Sequence, residues 1–328
     1  MKIVNPPCPL YKRRGAGGFF VERLGMRIIV VGQGPFGEKV LEALIRKGEE
    51  VVGVFSPPDK RGEPMKHLAE RSSIFFLGPT RMKNPEVYDA YTKLKPDLVI
   101  LAFVTDILPE KLLEVPSIGT ICYHPSLLPR HRGGSAINWA IIQGDMRTGL
   151  TILWADKGID TGPILLQKEV NIGPDDTTGS LYFNTLFPMG VHAIVEAVEL
   201  IKKGRAPRIP QDESKATYEP LCDDKVARID FDKPSKEVYN FIRGCDPQPG
   251  AFTTLKGKKV RLYDARMDPK STERAPGEIV SIEEGGIRIA VEGRIIKIGK
   301  VRVDKGEKIG AMEFAKLVDV RVGDRFGK

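Results

Sequence analysis

The sequence predicts a two-domain α/β protein: a Rossmann-like parallel sheet covered by helices, followed by a small C-terminal β-barrel of the OB kind. Three observations carry this. With 328 residues, 29% of them charged, the chain is long enough to build two hydrophobic cores rather than one. From Met26 to about Lys203, short β-branched runs alternate with amphipathic stretches, which is how consecutive βαβ units read. Beyond residue 220 the pattern changes to many short strands separated by glycines, the signature of a small barrel or sandwich.

The elements follow in order. Residues 1–25, MKIVNPPCPLYKRRGAGGFFVERLG, have no sustained period and read as an appendage, either a basic disordered arm or a start assigned too far upstream. MRIIVV then opens the first strand, followed by a helix over Glu38 to Lys47, the strand VVGVF, a helix over Glu86 to Leu94, and the strands DLVILAFV and GTICYH. LTILWAD and PILLQKEV flank the turn-rich KGIDTG and pair as neighbouring strands. A long helix from Ser180 to Lys203 closes at Gly204, with Pro207 just beyond it. The first domain is therefore placed at 26–206 and a polar, proline-rich linker at 207–220. The second domain, 221–328, starts with a short helix over Lys236 to Arg243 and continues as AFTTL, KKVRLYDA, GEIVSI, GIRIAV and IIKIGKVRV.

Composition excludes several classes. No window approaches eighteen uninterrupted apolar residues, so no membrane partner is expected. Cys8, Cys122, Cys222 and Cys245 lie far apart, which implies neither a zinc ribbon nor a disulfide framework and fits a reducing cytoplasm. His67, His131 and His192 have no ligand spacing, so no metal is expected. The net charge of +8 is uneven: Lys and Arg outnumber Asp and Glu by five to one over residues 1–25 and by 23 to 18 over 221–328, whereas 26–220 carries 23 against 24. A basic second domain leaves room for RNA or phosphate, although mixed charge of this kind is commonly just a solvated surface.

GQGPFG, Gly32 to Gly37, follows the first strand and matches the dinucleotide fingerprint. That fingerprint also needs an acid at the tip of the second strand, where this chain has Ser56, Pro57 and Pro58, with Asp59 arriving late. NAD is therefore not expected, and the glycines are read as letting strand and helix approach closely.

ICYHPSLLPRHRGG, residues 121–134, ends an apolar strand with a histidine placed directly before a proline. Asp160 sits in the turn-rich DKGIDTG and is expected at the same end of the sheet as His124. A histidine can hydrogen-bond an oxygen on which charge develops, and a carboxylate can orient that histidine; transfer of a carbonyl group needs both.

YHPSLLPRHRGGSAINWAIIQGD and TGLTILWADKGIDTGPILLQKEV resemble the catalytic core of the formyltransferases and hydrolases that use 10-formyltetrahydrofolate, down to the spacing of His124 and Asp160. KATYEP, PGAFTT and the closing VGDRFG resemble that family's C-terminal domain. The resemblance implies an enzyme with 10-formyltetrahydrofolate as donor, His124 polarising the formyl oxygen and Asp160 positioning His124 or water. It implies that the backbone of Phe103 to Leu108, including Asp106 and Ile107, holds the pterin ring. The loop from Asp156 to Asp160 would close the ring's other side, and Ser126, Leu127 and Leu128 would line the approach to the formyl group.

Arg130 and Arg132 are candidates for a glutamate tail or acceptor phosphates, with a structural ion pair as the alternative. KGKKVR, Lys256 to Arg261, is basic but has no aromatic ladder for stacking RNA bases.

Two departures bear on the acceptor. The family's transferases carry Asn where this chain has Cys122, a weak hydrogen-bond donor at the candidate oxyanion site, and another branch of the family, the hydrolase domain of 10-formyltetrahydrofolate dehydrogenase, also lacks that Asn. The segment from Ser56 to Arg71 is shorter than the basic insertion of the tRNA formyltransferases. The two-domain layout points to an amine acceptor such as initiator methionyl-tRNA or a small amino compound; Cys122 and the short segment point to water.

Overall fold

A computed structural model describes residues 25–327, so the arm expected over 1–25 lies outside the described residues except for Gly25. By contacts the chain divides into two compact units: one of residues up to Pro129 with Leu150–Lys168 and Phe187–Ala216, the other of Arg130–Gly149, Glu169–Leu186 and Thr217 onward.

The first unit is organised by a seven-stranded sheet in the order β3-β2-β1-β4-β5-β6-β7. Its elements are β1 (Arg27–Gly32), α1 (Gly34–Arg46), β2 (Glu50–Phe55), α2 (Glu63–Arg71), β3 (Phe75–Leu77), α3 (Pro85–Leu94), β4 (Leu98–Ala102), α4 (Glu110–Leu113) and β5 (Gly119–His124). After α5 (Ala136–Ile142) the chain returns as β6 (Arg147–Trp154) and β7 (Ile164–Asn171), then α6 (Thr178–Leu181), a π-helical turn at Tyr182–Leu186, and α7 (Phe187–Lys202). Side chains alternate along β1: Ile28 and Val30 enter one core with α1 and α7, while Ile29 and Val31 enter another with α3. Both faces of the central strands are therefore covered, which is why they read as continuous β-branched runs.

Three elements differ from expectation for local reasons. The first helix begins at Gly34 rather than Glu38, because Pro35 fits the first turn, where its missing N–H is not needed. Ser56 to Arg71 is not a bare loop: Pro64 opens α2, and Met65 and Ala69, four apart, bury one face. The long helix starts at Thr178 because Thr177 and Ser180 cap each other reciprocally.

Thr178–Lys202 is long and apolar enough, by length and composition alone, to cross a membrane. Its apolar content has a local explanation, since Ala193, Ile194, Ala197, Val198 and Ile201 pack into the core beneath α1.

The sheet is mixed rather than wholly parallel. β6 runs antiparallel to β5, with Thr151 opposite His124 and Trp154 opposite Ile121. The loop that carries Asp160 therefore leaves beside the beginning of β5, not beside the end that carries His124, which corrects the expectation of a shared sheet end.

In the second unit, α8 (Ser235–Gly244) precedes β8 (Phe252–Leu255), β9 (Lys258–Ser271), β10 (Ile279–Glu283), β11 (Gly286–Val291), β12 (Arg294–Val303), β13 (Lys308–Gly310) and α9 (Ala311–Leu317). These strands form an antiparallel sheet in the order β10-β11-β12-β9-β8, with β13 on β12. The segments Arg130–Gly149 and Glu169–Leu186, inside the span expected for the first domain, group with this unit. Trp139 and Ile142 of α5 pack against its core, and the Asn138 amide donates to the Gly244 carbonyl at 2.8 Å.

Candidate active site

β5 ends in His124, whose side chain is only 6% exposed. Successive strand residues alternate faces, so Cys122 and His124 share one. The Asp160 loop reaches them by folding back. Asp156 starts the reversal by accepting from the Gly158 amide at 3.0 Å and the Thr161 hydroxyl at 2.7 Å. Asp160 itself takes a left-handed backbone, φ 55°, and the Gln211 side-chain amide donates to the carbonyls of Asp160 (2.8 Å) and Gly162 (2.7 Å). The outcome is His124 Nδ1 at 3.4 Å from Asp160 Oδ2. The two candidate catalytic groups, 36 positions apart in the sequence, meet.

Gly162 makes the reversal sterically feasible. A Cβ there would lie 1.7 Å from the Trp154 carbonyl oxygen, a backbone atom that cannot swing away. Gly162→Ala is expected to cost about 1–3 kcal/mol of stability through overpacking and to lower turnover by displacing Asp160. Thermal denaturation and steady-state rates check this, and a variant that melts and turns over like wild type would contradict the assigned role.

The segment after His124 is held by a network the sequence reading missed. Thr151, fully buried opposite His124, donates to the Ser126 carbonyl at 2.7 Å and accepts from the Leu128 amide at 3.2 Å. Gln167 donates to Thr151 Oγ1 at 2.9 Å and to the Leu128 carbonyl at 2.8 Å. Ser126 and Leu128 are buried and Leu127 half-buried, so this segment is a fixed wall. The available signal was slight: Thr151 interrupts the apolar run at the end of β6, and Gln167 is one of several polar residues in β7.

The remaining predicted residues fall into two groups. Phe103, at the end of β4, has a left-handed backbone (φ 65°) and an exposed ring, and Ile107 is 71% exposed. A bulky residue with positive φ is strained, and such strain concentrates at functional sites. Asp106 and Leu108 serve the fold: the Asp106 carboxylate accepts from the Met82 amide at 2.7 Å and pairs with Arg81, and Leu108 is in the core. Asp156 likewise shapes its own loop.

Arg130 and Arg132 both have structural partners. Arg130 pairs with Asp145 at 3.0 Å, and Arg132, 1% exposed, donates to the Tyr218 hydroxyl at 2.7 Å. The 207–220 segment is more than a connector, since Arg208 stacks 3.8 Å from the Trp154 ring centre and Gln211 holds the Asp160 loop.

Burial, and secondarily the Asp160 carboxylate, pushes the Cys122 thiol far above the usual thiol range. Its Sγ lies 3.6 Å from the Tyr123 carbonyl oxygen, a weak contact. A neutral, half-buried thiol is a poor nucleophile and a weak donor.

A cavity of about 400 Å³ lies at the reversal of strand order between β1 and β4, lined by Gln33, Ser56, Arg61, Arg81, Phe103 and Asp106 among others. It meets the Phe103–Asp106 segment but is not lined by His124 or Asp160. Gly34, φ 61°, donates its amide to the Arg61 carbonyl at 2.7 Å, and a Cβ on Gly32 would lie 2.5 Å from the Ala102 carbonyl oxygen. The glycine motif thus has a structural explanation in tight strand and helix packing. Arg61 faces Asp59 at 2.7 Å. Among the described residues no group of three or more His, Cys, Asp or Glu is arranged to hold a metal.

The sequence matches the formyl transferase family model over residues 26–198 and the formyl transferase C-terminal domain model over 223–318. It is 39% identical over 310 residues to cytosolic 10-formyltetrahydrofolate dehydrogenase of Xenopus tropicalis, covering 90% of this chain and 34% of that protein. It is 35% identical over 312 residues to methionyl-tRNA formyltransferase of Geotalea uraniireducens, covering 93% of this chain and 99% of that one. The chain thus spans about a third of the length of the dehydrogenases it matches. Among solved structures, HypX from Aquifex aeolicus in complex with tetrahydrofolic acid shares the fold, with TM-score 0.68 and 21% identity over 91% of this chain and 48% of that one.

Proposed function

The chain belongs to the formyl transferase family, and from that premise we propose that it moves the formyl group of 10-formyltetrahydrofolate to a nucleophile, using His124 and Asp160. The carrying observation is the 3.4 Å approach of His124 Nδ1 to Asp160 Oδ2. With Nδ1 facing the carboxylate, Nε2 is assigned to the formyl oxygen. As the nucleophile adds to the formyl carbon, that oxygen gains negative charge, and Nε2 stabilises it by donating a hydrogen bond. Collapse of the tetrahedral intermediate breaks the bond to N10 of the folate, and the proton lost by the nucleophile goes to the departing nitrogen. Phe103, Ile107 and Ile159, apolar yet exposed, give the β4 and Asp160 loops surfaces suited to a flat pterin.

The acceptor we infer is an amine, of the kind carried by methionyl-tRNA. The match over 99% of the Geotalea transferase and the basic second domain support this. A second reading, water as acceptor, rests on Cys122, because a thiol replaces a strong amide donor there. The two separate when 10-formyltetrahydrofolate is supplied with and without charged initiator tRNA and tetrahydrofolate release is followed. Release that depends on the charged tRNA is expected; equal release in both arms would remove the amine reading in favour of water.

Cys122→Asn tests the oxyanion role of that position. Transfer to an amine is expected to rise by about a hundredfold, the lower end of what one oxyanion donor contributes. Unchanged rates would place position 122 outside the site.

A further inference from the structure

Cys222 and Cys245, distant enough in sequence to suggest no pairing, have their Sγ atoms 3.8 Å apart inside the second unit. Cys222 is 8% exposed and Cys245 fully buried, and neither takes part in the reaction proposed above. We propose that these two thiols form a reversible disulfide by exchange with a small-molecule disulfide, tying the chain after the linker to the end of α8.

Both cysteines are anchored where they meet. The Cys245 amide donates to the Phe241 carbonyl at 3.1 Å at the end of α8, and the Cys222 amide donates to Ser135 Oγ at 3.1 Å. A disulfide needs sulfurs about 2.05 Å apart, so the pair must close by roughly 1.7 Å, which side-chain rotation can supply. Thiols held in this way convert readily because the second sulfur is already beside the first.

The roles of the two sulfurs differ. The contact with Cys245 holds the Cys222 thiol below the ordinary range, while that same contact, followed by burial, pushes Cys245 far above it. Cys222, also the more accessible, is therefore the attacking thiolate. Its sulfur bonds to one sulfur of the small disulfide and expels the other as a thiolate. Cys245 then loses its proton and attacks Cys222 Sγ, displacing the second small thiolate. Two protein thiols are oxidised, one small disulfide is reduced to two thiols, and the protons from Cys222 and Cys245 end on those thiols.

The test uses the full chain with Cys8→Ser, incubated with oxidised glutathione, then alkylated and mapped by mass spectrometry. A single cross-linked peptide pair joining Cys222 to Cys245 is expected, reversed by dithiothreitol. The thermal midpoint should rise by about 5 °C, since the bond closes a loop of some twenty residues in the unfolded chain. In this background Cys245→Ser should accumulate one glutathione on Cys222, whereas Cys222→Ser should leave Cys245 unmodified. Both residues remaining alkylatable, or either cross-linking to Cys122 instead, would overturn the proposal. Glutathione on Cys245 in the Cys222→Ser variant would overturn the assigned order of attack.

Discussion

His124→Ala is expected to lower kcat for formyl transfer by about 10³-fold, within the range of proton-transfer and oxyanion groups in other enzymes. The ring ends β5, is almost fully enclosed, and presents Nδ1 to Asp160, so one face of the imidazole is fixed by a carboxylate before substrate arrives. Nothing else contributed by β5 can replace it. Cys122, on the same face, is a neutral thiol, and Tyr123 points to the opposite side, where it packs against Phe36. Because the proposed role belongs to the transition state, affinity for tetrahydrofolate should be preserved. Calorimetric titration with tetrahydrofolate and single-turnover formyl transfer measure the two separately. A loss of less than tenfold in turnover, with folate binding intact, would remove the histidine from catalysis.

The strands of the first unit were legible because a sheet buried on both faces needs near-continuous apolar runs, which β1 and β4 supply most clearly. The elements that were missed, α2, α4, α5 and α9 among the helices and β3 and β13 among the strands, are short. Each draws its stability from tertiary contacts rather than from a long amphipathic pattern, as with Met65 and Ala69 in α2. The direction of β6 was not legible either. Parallel and antiparallel strands use the same residues, and only pairing partners distinguish LTILW placed either way. The expectation that His124 and Asp160 would meet was correct, although the geometric reason given for it was not.

The candidate site shows a similar division. His124 and Asp160 stand out because their spacing and flanking motifs resemble a catalytic pattern; taken alone, a histidine ending a strand or an Asp in a turn has ordinary structural uses, as Asp156 shows. Thr151, Gln167 and Gln211 were invisible because they act through backbone groups of residues far away in sequence, and nothing local marks a polar side chain as a brace. Asp106 shows the reverse. Its place in a segment resembling a pterin-binding strand end suggested ligand contact, while its carboxylate holds the Met82 amide, so any contribution of Asp106 itself passes through its backbone. The Cys222 and Cys245 pair also escaped sequence reading, since distance along the chain says nothing about proximity of two buried side chains.

Asp160→Asn separates charge from shape and is expected to lower kcat by about 10²-fold, comparable to the loss of one electrostatic contribution at a reacting centre. The substitution keeps the loop. Its reversal depends on the backbone: φ 55° at residue 160, the Gln211 amide on the carbonyls of 160 and 162, and the Asp156 turn. Asn is also among the residues that best tolerate a left-handed backbone. Stability should therefore be close to wild type, in contrast to Gly162→Ala, whose defect begins in packing. What is lost is an anion facing Nδ1 while the imidazole handles charge at Nε2. If the carboxylate acts through the ring, His124→Ala combined with Asp160→Asn should be no slower than His124→Ala alone, because groups working as one unit do not contribute additively. If the double variant instead loses the product of the two single effects, Asp160 acts independently of His124, on water or on the departing nitrogen, and the positioning role assigned to it fails.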